Sequence, residues 1–589
     1  MVFRNSRTVA VARGAQRFAR RWTSSSRAKS TSPASATSPS GTTPPPPPPP
    51  KQRPALLYAG VSALATAGIA TYVFKSKVSD AAPMTASFSD LATFLTSSAI
   101  PTSLLSRPRY ASAKETAQAI AEISAVIGEA NVTSSPGEIE SHSTNPACTH
   151  HPPGEDQHPA AIVLPGSTED VSAILKICNR YSVPVVPYSA GTSLEGHIYS
   201  VRPGGICIDF RRMNAILAVH EDDLDVVVQA GVPYAEINSA LAPLGLVLGS
   251  DCAPSAQIGG MVATNASGIN AVSYGAMKEN TIALTAVLAD GTVIKTRQRP
   301  RKSSAGYNLT GLLVGSEGTL AVVTEATLKI HVKPKVEKVI VAQFKTTRDT
   351  TDAVADIFRA GIKPGALELL DDRMMKALNL AHMTTREWLE TPSLFIRVGG
   401  VNEKVLGEYT KAIKTACDAH ACAAFVPARN QAEGEELFLA RKNAHYACLD
   451  YGYETFGPEC RMWGTDVAVP LSRLSYVLEE TRKDFDAHGI VSCVLGHVGD
   501  GNFHTNIYFL SDQEARVREI TDRMVKRGLE NEGTCTGEHG VGNGKRGYLE
   551  LELGPSTVDA MRKLKMAWDP KRILNPDKVF KIDPEDTGF

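Results

Sequence analysis

The sequence predicts an α+β protein in which two folded domains follow an N-terminal segment of a different character. The N-terminal segment has no acidic residue before Asp80 and contains an uncharged run at 55–74. Across 154–334, short apolar strands alternate with amphipathic helices and glycine-rich loops. A second unit of strands and helices follows across 335–580. These patterns are typical of mixed sheets covered by helices.

Composition narrows the class of protein. The chain has 589 residues, of which 43% are hydrophobic and 21% charged, so it can bury more than one full core. Its net charge is zero, which argues against a nucleic acid as partner. The ten cysteines form no C-x-x-C pair. We therefore expect free, mostly buried thiols rather than a zinc ribbon, an iron–sulfur cluster or a disulfide scaffold.

The composition of residues 1–50 is typical of a targeting sequence rather than of a folded domain. Arginine is frequent in the first thirty residues and acidic residues are absent, as in a mitochondrial presequence. A Ser/Thr/Pro tract follows and ends in the prolines of 44–50, which cannot pack a core. We expect a presequence followed by a proline-rich linker.

The uncharged run at 55–74 has basic residues on both sides and is just long enough to span a bilayer. Because it is rich in Ala, Gly and Ser, a soluble core helix is the competing interpretation. We predict a single transmembrane helix, followed at 80–153 by a tether and an N-terminal arm with one helix near 115–130. A presequence before such a segment predicts an inner-membrane protein whose catalytic part faces the intermembrane space.

The first domain, 154–334, opens with a regular alternation of elements. Ala160 to Pro165 is predicted to be a buried strand, and Ser167 caps a helix that runs to Tyr181. A second strand, 183–187, leads into a glycine-bearing loop. In the second domain, 335–580, we predict strands at 339–344 and 393–399. Each of these strands is followed by a helix, at 350–360 and 404–420.

Three glycine-rich loops in the first domain carry hydroxyl and amide donors. They lack the G-K-[ST] end of a P-loop and the G-x-G-x-x-G of a Rossmann site, and any one of them alone could be a simple turn. Three such loops in one domain favour the binding of an extended dinucleotide, whose phosphates would accept hydrogen bonds from backbone amides. The candidate cofactor-binding residues are Pro187, Ser189, Ala190, Gly191, Thr192, Ser193, Gly196, His197, Gly259, Gly260, Thr264, Asn265, Ser267, Gly268, Gly315, Glu317 and Gly318.

Two short motifs near the C-terminus concentrate histidines and a carboxylate among glycines. The turn Gly499-Asp500-Gly501 can fold the chain back so that His497 and His504 converge. Two imidazoles with Glu538 form a ligand set for a divalent metal such as zinc or manganese. His539, the next residue, would then be a base beside the metal. The alternative is that these residues only shape a tight hairpin.

The three loops and the two C-terminal motifs, 496–504 and 537–540, resemble the FAD-linked 2-hydroxyacid dehydrogenases. Their FAD domain is shared with the vanillyl-alcohol oxidase relatives. The resemblance covers about residues 140–580. It implies a p-cresol methylhydroxylase-type (PCMH-type) FAD-binding domain of two subdomains and an α+β substrate domain with a ferredoxin-like sheet. It also implies noncovalent FAD, because the loop 189–193 contains no histidine; His197 lies just beyond it.

The same resemblance implies oxidation of D-lactate to pyruvate, with hydride transfer to the flavin and cytochrome c as electron acceptor. It assigns Arg441 to the substrate carboxylate and His539 to the hydroxyl proton. Another D-2-hydroxy acid, D-2-hydroxyglutarate or glycolate, is the alternative substrate. Members of the resembled family that act on D-2-hydroxyglutarate have a lysine shortly before the motif that aligns with 466–470. Here the segment 463–466 has no cation nearer than Arg461, so the resemblance favours a monocarboxylate.

Two other classes of function are compatible with parts of the sequence. A metal-dependent hydrolase could use the predicted metal ligands to activate water, but it leaves the three glycine loops unexplained. A membrane-tethered flavoprotein that acts in assembly would leave the predicted metal and base without a role.

Overall fold

The computed structural model describes residues 106–583, with gaps at 146, 149, 152, 155 and 156. These residues belong to one compact unit. The predicted presequence and the predicted transmembrane helix at 55–74 lie outside the described residues. Within the described part of the chain, no helix combines the length and the apolar character that crossing a membrane requires.

A four-stranded sheet opens the described fold. Its strands are β1 (Val132–Thr133), β2 (Ala161–Val163), β3 (Val185–Tyr188) and β4 (Ile206–Asp209), in the order β1-β2-β4-β3. Strands β2 and β3 run parallel to β4, while β1 is antiparallel to β2. The sheet packs with α1 (Ala113–Ile127), α2 (Pro136–Ser143) and α3 (Thr168–Tyr181). Helix α3 begins as predicted, because the Ser167 side chain accepts a hydrogen bond from the Asp170 amide.

The segment expected to be a tether and arm contributes to this core. Helix α1 packs against α3, and Ala119 and Ile123 are fully buried in the core that they share. A capping box between Ser112 and Glu115 fixes the start of the helix. This stretch is mostly polar in sequence because only one narrow face of the helix is buried. Such a pattern is hard to distinguish from that of a polar tether.

A five-stranded antiparallel sheet completes the first half of the fold. Its strands are β5 (Ile216–His220), β6 (Asp225–Gln229), β8 (Thr281–Val287), β9 (Val293–Lys295) and β10 (Val322–Lys329), in the order β5-β6-β10-β8-β9. The short strands β7 (Leu246–Val247) and β11 (His331–Val332) pair separately. The helices of this part are α4 (Tyr234–Leu241), α5 (Ile258–Thr264), α6 (Ala271–Tyr274), α7 (Met277–Asn280) and α8 (Leu309–Leu313).

The second half is built on one large antiparallel sheet. Its strands are β12 (Val336–Gln343), β13 (Ala366–Leu370), β14 (Ser393–Gly400), β15 (Ala424–Pro427), β16 (Arg461–Gly464), β17 (Val467–Ala468), β18 (Ser492–His497) and β19 (Asn502–Phe509). The order is β15-β12-β14-β13-β18-β19-β16, and β17 pairs with β19. The first four strands have the order and antiparallel pairing of a ferredoxin-like sheet, in agreement with the expectation.

Helices cover both faces of this sheet. They are α9 (Thr347–Arg359), α10 (Asp372–Leu380), α11 (Glu403–Asp418), α12 (Gln431–Lys442), α13 (Ala444–Phe456), α14 (Leu471–Ala487) and α15 (Glu514–Glu530). Side chains alternate between the two cores, as in Ile340, which packs in one core, and Val341, which packs in the other. The predicted strands and helices of this half therefore exist, with boundaries that differ by a few residues.

The end of the chain returns to the first sheet. After α16 (Arg546–Leu553) and α17 (Pro555–Trp568), the Ile573 carbonyl accepts a hydrogen bond of 2.8 Å from the Val185 amide. Ile573 and Leu574 are fully buried in the core of that sheet. The C-terminal segment thus ties the two halves of the described fold together.

Candidate active site

A cavity of about 670 Å³ lies where the three glycine loops meet the C-terminal histidine motifs. Its size is within the range of small-molecule and cofactor sites. Loop residues 189–194 and 316–318 line one part, and His497, His504 and His539 line another. One continuous space therefore connects the predicted cofactor loops with the predicted metal ligands.

Most of the predicted cofactor residues border this cavity. They are Pro187, Ser189, Ala190, Gly191, Thr192, Ser193, His197, Gly259, Gly260, Thr264, Gly268, Glu317 and Gly318. Gly196, Asn265, Ser267 and Gly315 are not among its lining residues. Asn265 ends helix α5 in the left-handed region, and its side-chain carbonyl accepts from the Lys278 amide, so its role in the structure is to shape the loop.

Backbone hydrogen bonds fix the second glycine loop and join the third loop to it. The Gly259 amide donates to the Ala230 carbonyl at 2.7 Å, and the Gly315 amide donates to the Val262 carbonyl at 3.0 Å. At Gly259 a Cβ atom would lie 2.9 Å from the Ala230 Cβ, so only glycine allows this close approach. The cavity wall is therefore set by the backbone, which suits a cofactor that binds through amides.

Glu317 binds protein groups rather than projecting freely into the cavity. Its carboxylate accepts hydrogen bonds from the Val541 amide at 2.7 Å and the Gly542 amide at 2.8 Å, and it lies 3.0 Å from His197 Nε2. Burial opposes the charge, but His197 and the two amides lower the pKa of Glu317 overall. This carboxylate links the third glycine loop to the segment that follows His539.

The histidine hairpin forms as the sequence predicted. Strands β18 and β19 are joined by a short 3₁₀ turn, Val498–Asp500, and Gly501 has a φ of 71°. In this register Leu495 lies opposite His504, which places His497 and His504 on the same face of the sheet. The two rings have centroids 5.5 Å apart.

Glu538 lies between the two imidazoles. Its Oε1 atom is 3.1 Å from His497 Nε2 and 3.2 Å from His504 Nε2. Its Oε2 atom accepts a hydrogen bond of 2.6 Å from the Ser267 hydroxyl and one of 2.9 Å from the Gly268 amide. The structure thus shows a different contact for two residues that the sequence assigned to the cofactor. Ser267 and Gly268 orient the candidate metal ligand.

The outer nitrogens of both histidines also have partners. His497 Nδ1 is 3.0 Å from Glu368 Oε1, and His504 Nδ1 is 3.0 Å from the Thr465 carbonyl. Hydrogen bonds at Nδ1 leave both Nε2 atoms available as ligands, which is the usual arrangement around metal-binding histidines. His497, His504 and Glu538 are therefore the best-prepared set for a divalent ion.

Ionisation in this group is strongly coupled. Burial opposes the protonated form of His497, but Glu368 and Glu538 together raise its pKa well above the ordinary value. Burial likewise opposes the charge on Glu538, while His497 and His504 hold its pKa well below the ordinary value. A carboxylate and two imidazoles at this distance are ligands that a divalent cation can bind together.

Asp466 fixes the segment that carries Glu538 and His539. Its Oδ2 atom accepts hydrogen bonds of 2.9 Å from both of their backbone amides, and its Oδ1 atom accepts one of 2.8 Å from the Asn502 side chain. Burial disfavours the charged form of Asp466, but the nearby His539 and Lys545 lower its pKa overall. The carboxylate positions the two motif residues relative to the hairpin.

Arg441 lies on helix α12 at the cavity wall. It is 4% exposed, and its Nη2 atom donates a hydrogen bond of 2.5 Å to Glu368 Oε2. Within the described residues its Nε atom has no hydrogen-bond partner. Glu368 therefore joins the candidate substrate arginine to His497, the candidate metal ligand.

His539 stacks on His504, with ring centroids 4.9 Å apart and an angle of 11° between the planes. Burial lowers its pKa to about 4, more than the charge of Asp466 raises it. The sequence alone predicts an unperturbed imidazole for this residue, whereas burial in the structure favours the neutral ring.

A second cation borders the cavity. Lys442 lies next to Arg441 and pairs with Asp251, whose Oδ2 atom is 3.1 Å from Lys442 Nζ. Arg461, the cation that precedes the segment 463–466 in the sequence, pairs with Glu514. Lys442 comes from a different part of the chain, which the pattern at 463–466 does not include.

Glu368 and Asp466 were not predicted as functional residues. Glu368 lies inside the apolar strand β13, where a lone carboxylate is unusual, and this could have marked it. Asp466 lies between two short strands and carried no distinctive pattern. Both act through partners that are distant in sequence.

Comparison with known proteins identifies the family. The profile described as FAD binding domain matches residues 159–297, and the profile described as FAD linked oxidases, C-terminal domain, matches residues 333–579. Mitochondrial D-lactate dehydrogenase (cytochrome) of Kluyveromyces lactis is 46% identical over 82% of this chain and 84% of its own length. The corresponding Saccharomyces cerevisiae enzyme is 47% identical over 77% and 78%.

Two solved structures share the fold. A 4-ethylphenol oxidase from Gulosibacter chungangensis superimposes with a TM-score of 0.67 at 19% identity, over 82% of this chain and 99% of that one. p-Cresol methylhydroxylase superimposes with a TM-score of 0.65 at 16% identity, over 80% and 98%. The fold is thus PCMH-type, as expected. The chain belongs to the FAD-linked oxidase family, and it is an FAD-dependent oxidoreductase whose similar relatives include the mitochondrial D-lactate dehydrogenases (cytochrome).

Proposed function

We propose that this protein oxidises D-lactate to pyruvate and passes the electrons to cytochrome c. The observation that carries the proposal is the single cavity that joins the glycine loops to Arg441, His539 and the His497/His504/Glu538 set. The name of the two fungal relatives, at 46% and 47% identity, supports the same activity.

The cofactor loops and the metal-type cluster would supply complementary chemistry. When bound, FAD accepts the hydride from the substrate C2 carbon, and a divalent ion such as zinc or manganese makes the substrate hydroxyl more acidic. The loop residues 189–193, with Gly259 and Gly260, would hold the dinucleotide through backbone amides. His497, His504 and Glu538 would hold the metal.

Arg441 would bind the substrate carboxylate. A guanidinium can form two parallel hydrogen bonds to a carboxylate, and the Nε atom of Arg441 has no partner among the described residues. Glu368 occupies its Nη2 atom and keeps the group oriented. The substrate would therefore be held at one end by a buried, charged and fixed donor.

His539 would remove the hydroxyl proton. Its Nδ1 atom is directed to Glu195, 4.0 Å away, so Nε2 is the nitrogen left for the cavity. Because its pKa lies near 4, the ring is unprotonated at neutral pH and can accept a proton as the hydride leaves. Asp466 would keep this base in place through the backbone amide of His539.

Another D-2-hydroxy acid is the second candidate substrate. Lys442 could pair with a second carboxylate, as in D-2-hydroxyglutarate, if it left Asp251. Glycolate would need only the groups named for D-lactate, and the glycolate oxidase subunit of Bacillus subtilis is a relative at 34% identity. We favour D-lactate because Lys442 already has a carboxylate partner in the structure.

Steady-state kinetics test this choice. The purified protein should reduce cytochrome c with D-lactate, with a higher kcat/KM for D-lactate than for D-2-hydroxyglutarate or glycolate. A preference for either competitor would overturn the assignment of the substrate. Failure to reduce cytochrome c while an artificial acceptor is reduced would overturn only the acceptor. Release of the flavin by acid precipitation would support noncovalent FAD.

The proposed cellular location rests on the sequence prediction and on the names of the relatives. The fungal relatives are named mitochondrial. We infer that a transmembrane segment predicted at 55–74 would hold this protein in the inner membrane, with the FAD domain at 154–334 and the substrate and metal domain at 335–580 in the intermembrane space. Protease protection of intact mitochondria tests this topology, and a signal confined to the matrix would contradict it.

A further inference from the structure

A second cluster of possible metal ligands lies behind the cofactor loop and outside the cavity. His150, His151 and Glu195 each present one ligand atom, and these atoms all lie within 4.8 Å of one another. Glu195 is 1% exposed and His150 is 2% exposed. The three residues come from the loop after α2 and the loop after β3, so the cluster joins two segments that are separate in sequence.

The distances inside the cluster do not fit hydrogen bonds. Glu195 Oε2 is 3.6 Å from His150 Nε2 and 3.5 Å from His151 Nε2. Hydrogen bonds between nitrogen and oxygen are about 2.7–3.2 Å long. Two ligands of a tetrahedral zinc ion, each about 2.0–2.2 Å from the metal, are separated by about 3.4 Å. The spacing is therefore that of neighbouring ligands around one small cation.

Two of the three side chains, Glu195 and His150, have buried polar atoms without hydrogen bonds. Within the described residues, Glu195 Oε2 and both ring nitrogens of His150 have no hydrogen-bond partner, while Glu195 Oε1 is ion-paired with Lys545. Buried carboxylates and imidazoles are almost always satisfied, because an unsatisfied polar group loses its hydration without compensation. A cation that accepts one lone pair from each of the three side chains would satisfy Glu195 Oε2 and His150 Nε2 together.

Lys545 is the main opposing charge. Its Nζ atom is 3.0 Å from Glu195 Oε1, the oxygen that is not paired with His150 and His151, and 3.5 Å from Asp466 Oδ2. Because the lysine is shared by two carboxylates, their combined charge exceeds its own. Glu195 can therefore hold the lysine on Oε1 and a cation on Oε2.

The position of Glu195 gives such a site a consequence for the catalytic segment. The Glu195 carbonyl accepts hydrogen bonds of 3.0 Å from the Asn543 amide and 3.3 Å from the Gly544 amide. These residues follow closely on His539. A cation on the Glu195 side chain would thus connect the loop of His150 and His151 to the segment that carries the candidate base.

We propose that His150 Nε2, His151 Nε2 and Glu195 Oε2 form a second divalent-cation site of the zinc class, with a water molecule as fourth ligand. The site is structural. It holds the loop of His150 and His151 against the cofactor loop and the His539 segment, and it is separate from the ion that the proposed function assigns to His497, His504 and Glu538.

Metal analysis of the full-length protein tests the proposal. After saturation with Zn²⁺ and removal of free metal, the wild type should contain two equivalents per chain. The double variant His150→Gln/His151→Gln should retain one, and the control His158→Gln, in the same segment, should retain two. An unchanged zinc content in the double variant, with full FAD content as evidence of folding, would overturn the proposal.

A second measurement does not depend on the folding of the double variant. In His504→Gln, which removes the other candidate site, added Zn²⁺ should still raise the melting temperature. Added EDTA should lower it again. No shift with Zn²⁺ would overturn the second site. A shift, combined with full zinc content in His504→Gln, would instead remove the metal from the proposed catalytic set and leave this proposal standing.

Discussion

Glu368 offers the most direct test of how the site is organised, because this one buried carboxylate contacts both the candidate substrate arginine and a candidate metal ligand. Its Oε2 atom accepts from Arg441 and its Oε1 atom accepts from His497. We predict that Glu368→Gln weakens both metal retention and substrate binding. The amide has the same shape, but it loses the charge and presents two hydrogens where the carboxylate accepts.

The expected magnitude follows from the contacts. Losing the outer partner of a metal-binding histidine costs about 10–100-fold in metal affinity, which corresponds to about 1.4–2.7 kcal/mol. For the arginine, a hydrogen bond to a charged group contributes about 1.5–3 kcal/mol, so the KM for D-lactate should rise by at least about tenfold. Glu368→Ala leaves Arg441 buried without its counter-charge and should cost about 3–5 kcal/mol of stability.

Two assays separate these effects. Competition with a chelator measures metal affinity, and steady-state kinetics after metal saturation measure the KM for D-lactate. Glu325→Gln is a matched control. Glu325 lies in strand β10 of the five-stranded sheet, and its side chain accepts a hydrogen bond from the Thr285 hydroxyl rather than from a residue of the candidate metal site. Unchanged metal affinity and unchanged KM in Glu368→Gln would refute the reasoning.

Four further predictions address single residues. His539→Asn should keep FAD and metal while flavin reduction by D-lactate slows by about 10²–10⁴-fold; near-normal stopped-flow reduction would remove it from the role of base. Arg441→Lys should raise the KM for D-lactate by about 10–100-fold because the two-point guanidinium contact is lost, and an unchanged KM would contradict that role. Ser267→Ala removes the 2.6 Å hydrogen bond to Glu538, so metal should dissociate during dialysis at full FAD content, whereas loss of FAD at full metal content would return Ser267 to the cofactor. Burial raises the pKa of Asp371 to about 7, above about 3.9 in the unfolded chain, so the native state binds this proton more tightly and loses that stability as pH rises through 7. Asp371→Asn, which keeps the helix cap, should therefore gain stability relative to the wild type between roughly pH 4 and pH 7 in urea unfolding; a difference that does not change with pH would contradict this.

Local signals were sufficient for much of the fold. The helix of 168–181 was predicted because Ser167 is a cap and the apolar residues recur at helical spacing. The hairpin of His497 and His504 was predicted because the glycine turn between them permits a reversal of the chain. These features depend on residues that are neighbours in sequence.

Contacts between distant segments could not be predicted in the same way. Glu368 reaches His497 because strands β13 and β18 are adjacent, and that pairing joins residues 129 positions apart. Ser267 lies in a predicted cofactor loop, yet its hydroxyl donates to Glu538, which lies 271 positions away in the sequence. Lys442 borders the cavity because helix α12 packs against the large sheet. Each of these assignments requires the three-dimensional packing.

The central claim is that the cavity joins an FAD site to a site for a D-2-hydroxy acid. Anaerobic titration of the purified flavoprotein tests it most directly. D-lactate should bleach the oxidised flavin spectrum in a single turnover, with one pyruvate formed per flavin, while L-lactate should leave the spectrum unchanged. Bleaching by L-lactate, or an unchanged spectrum with D-lactate, D-2-hydroxyglutarate and glycolate in turn, would contradict the account.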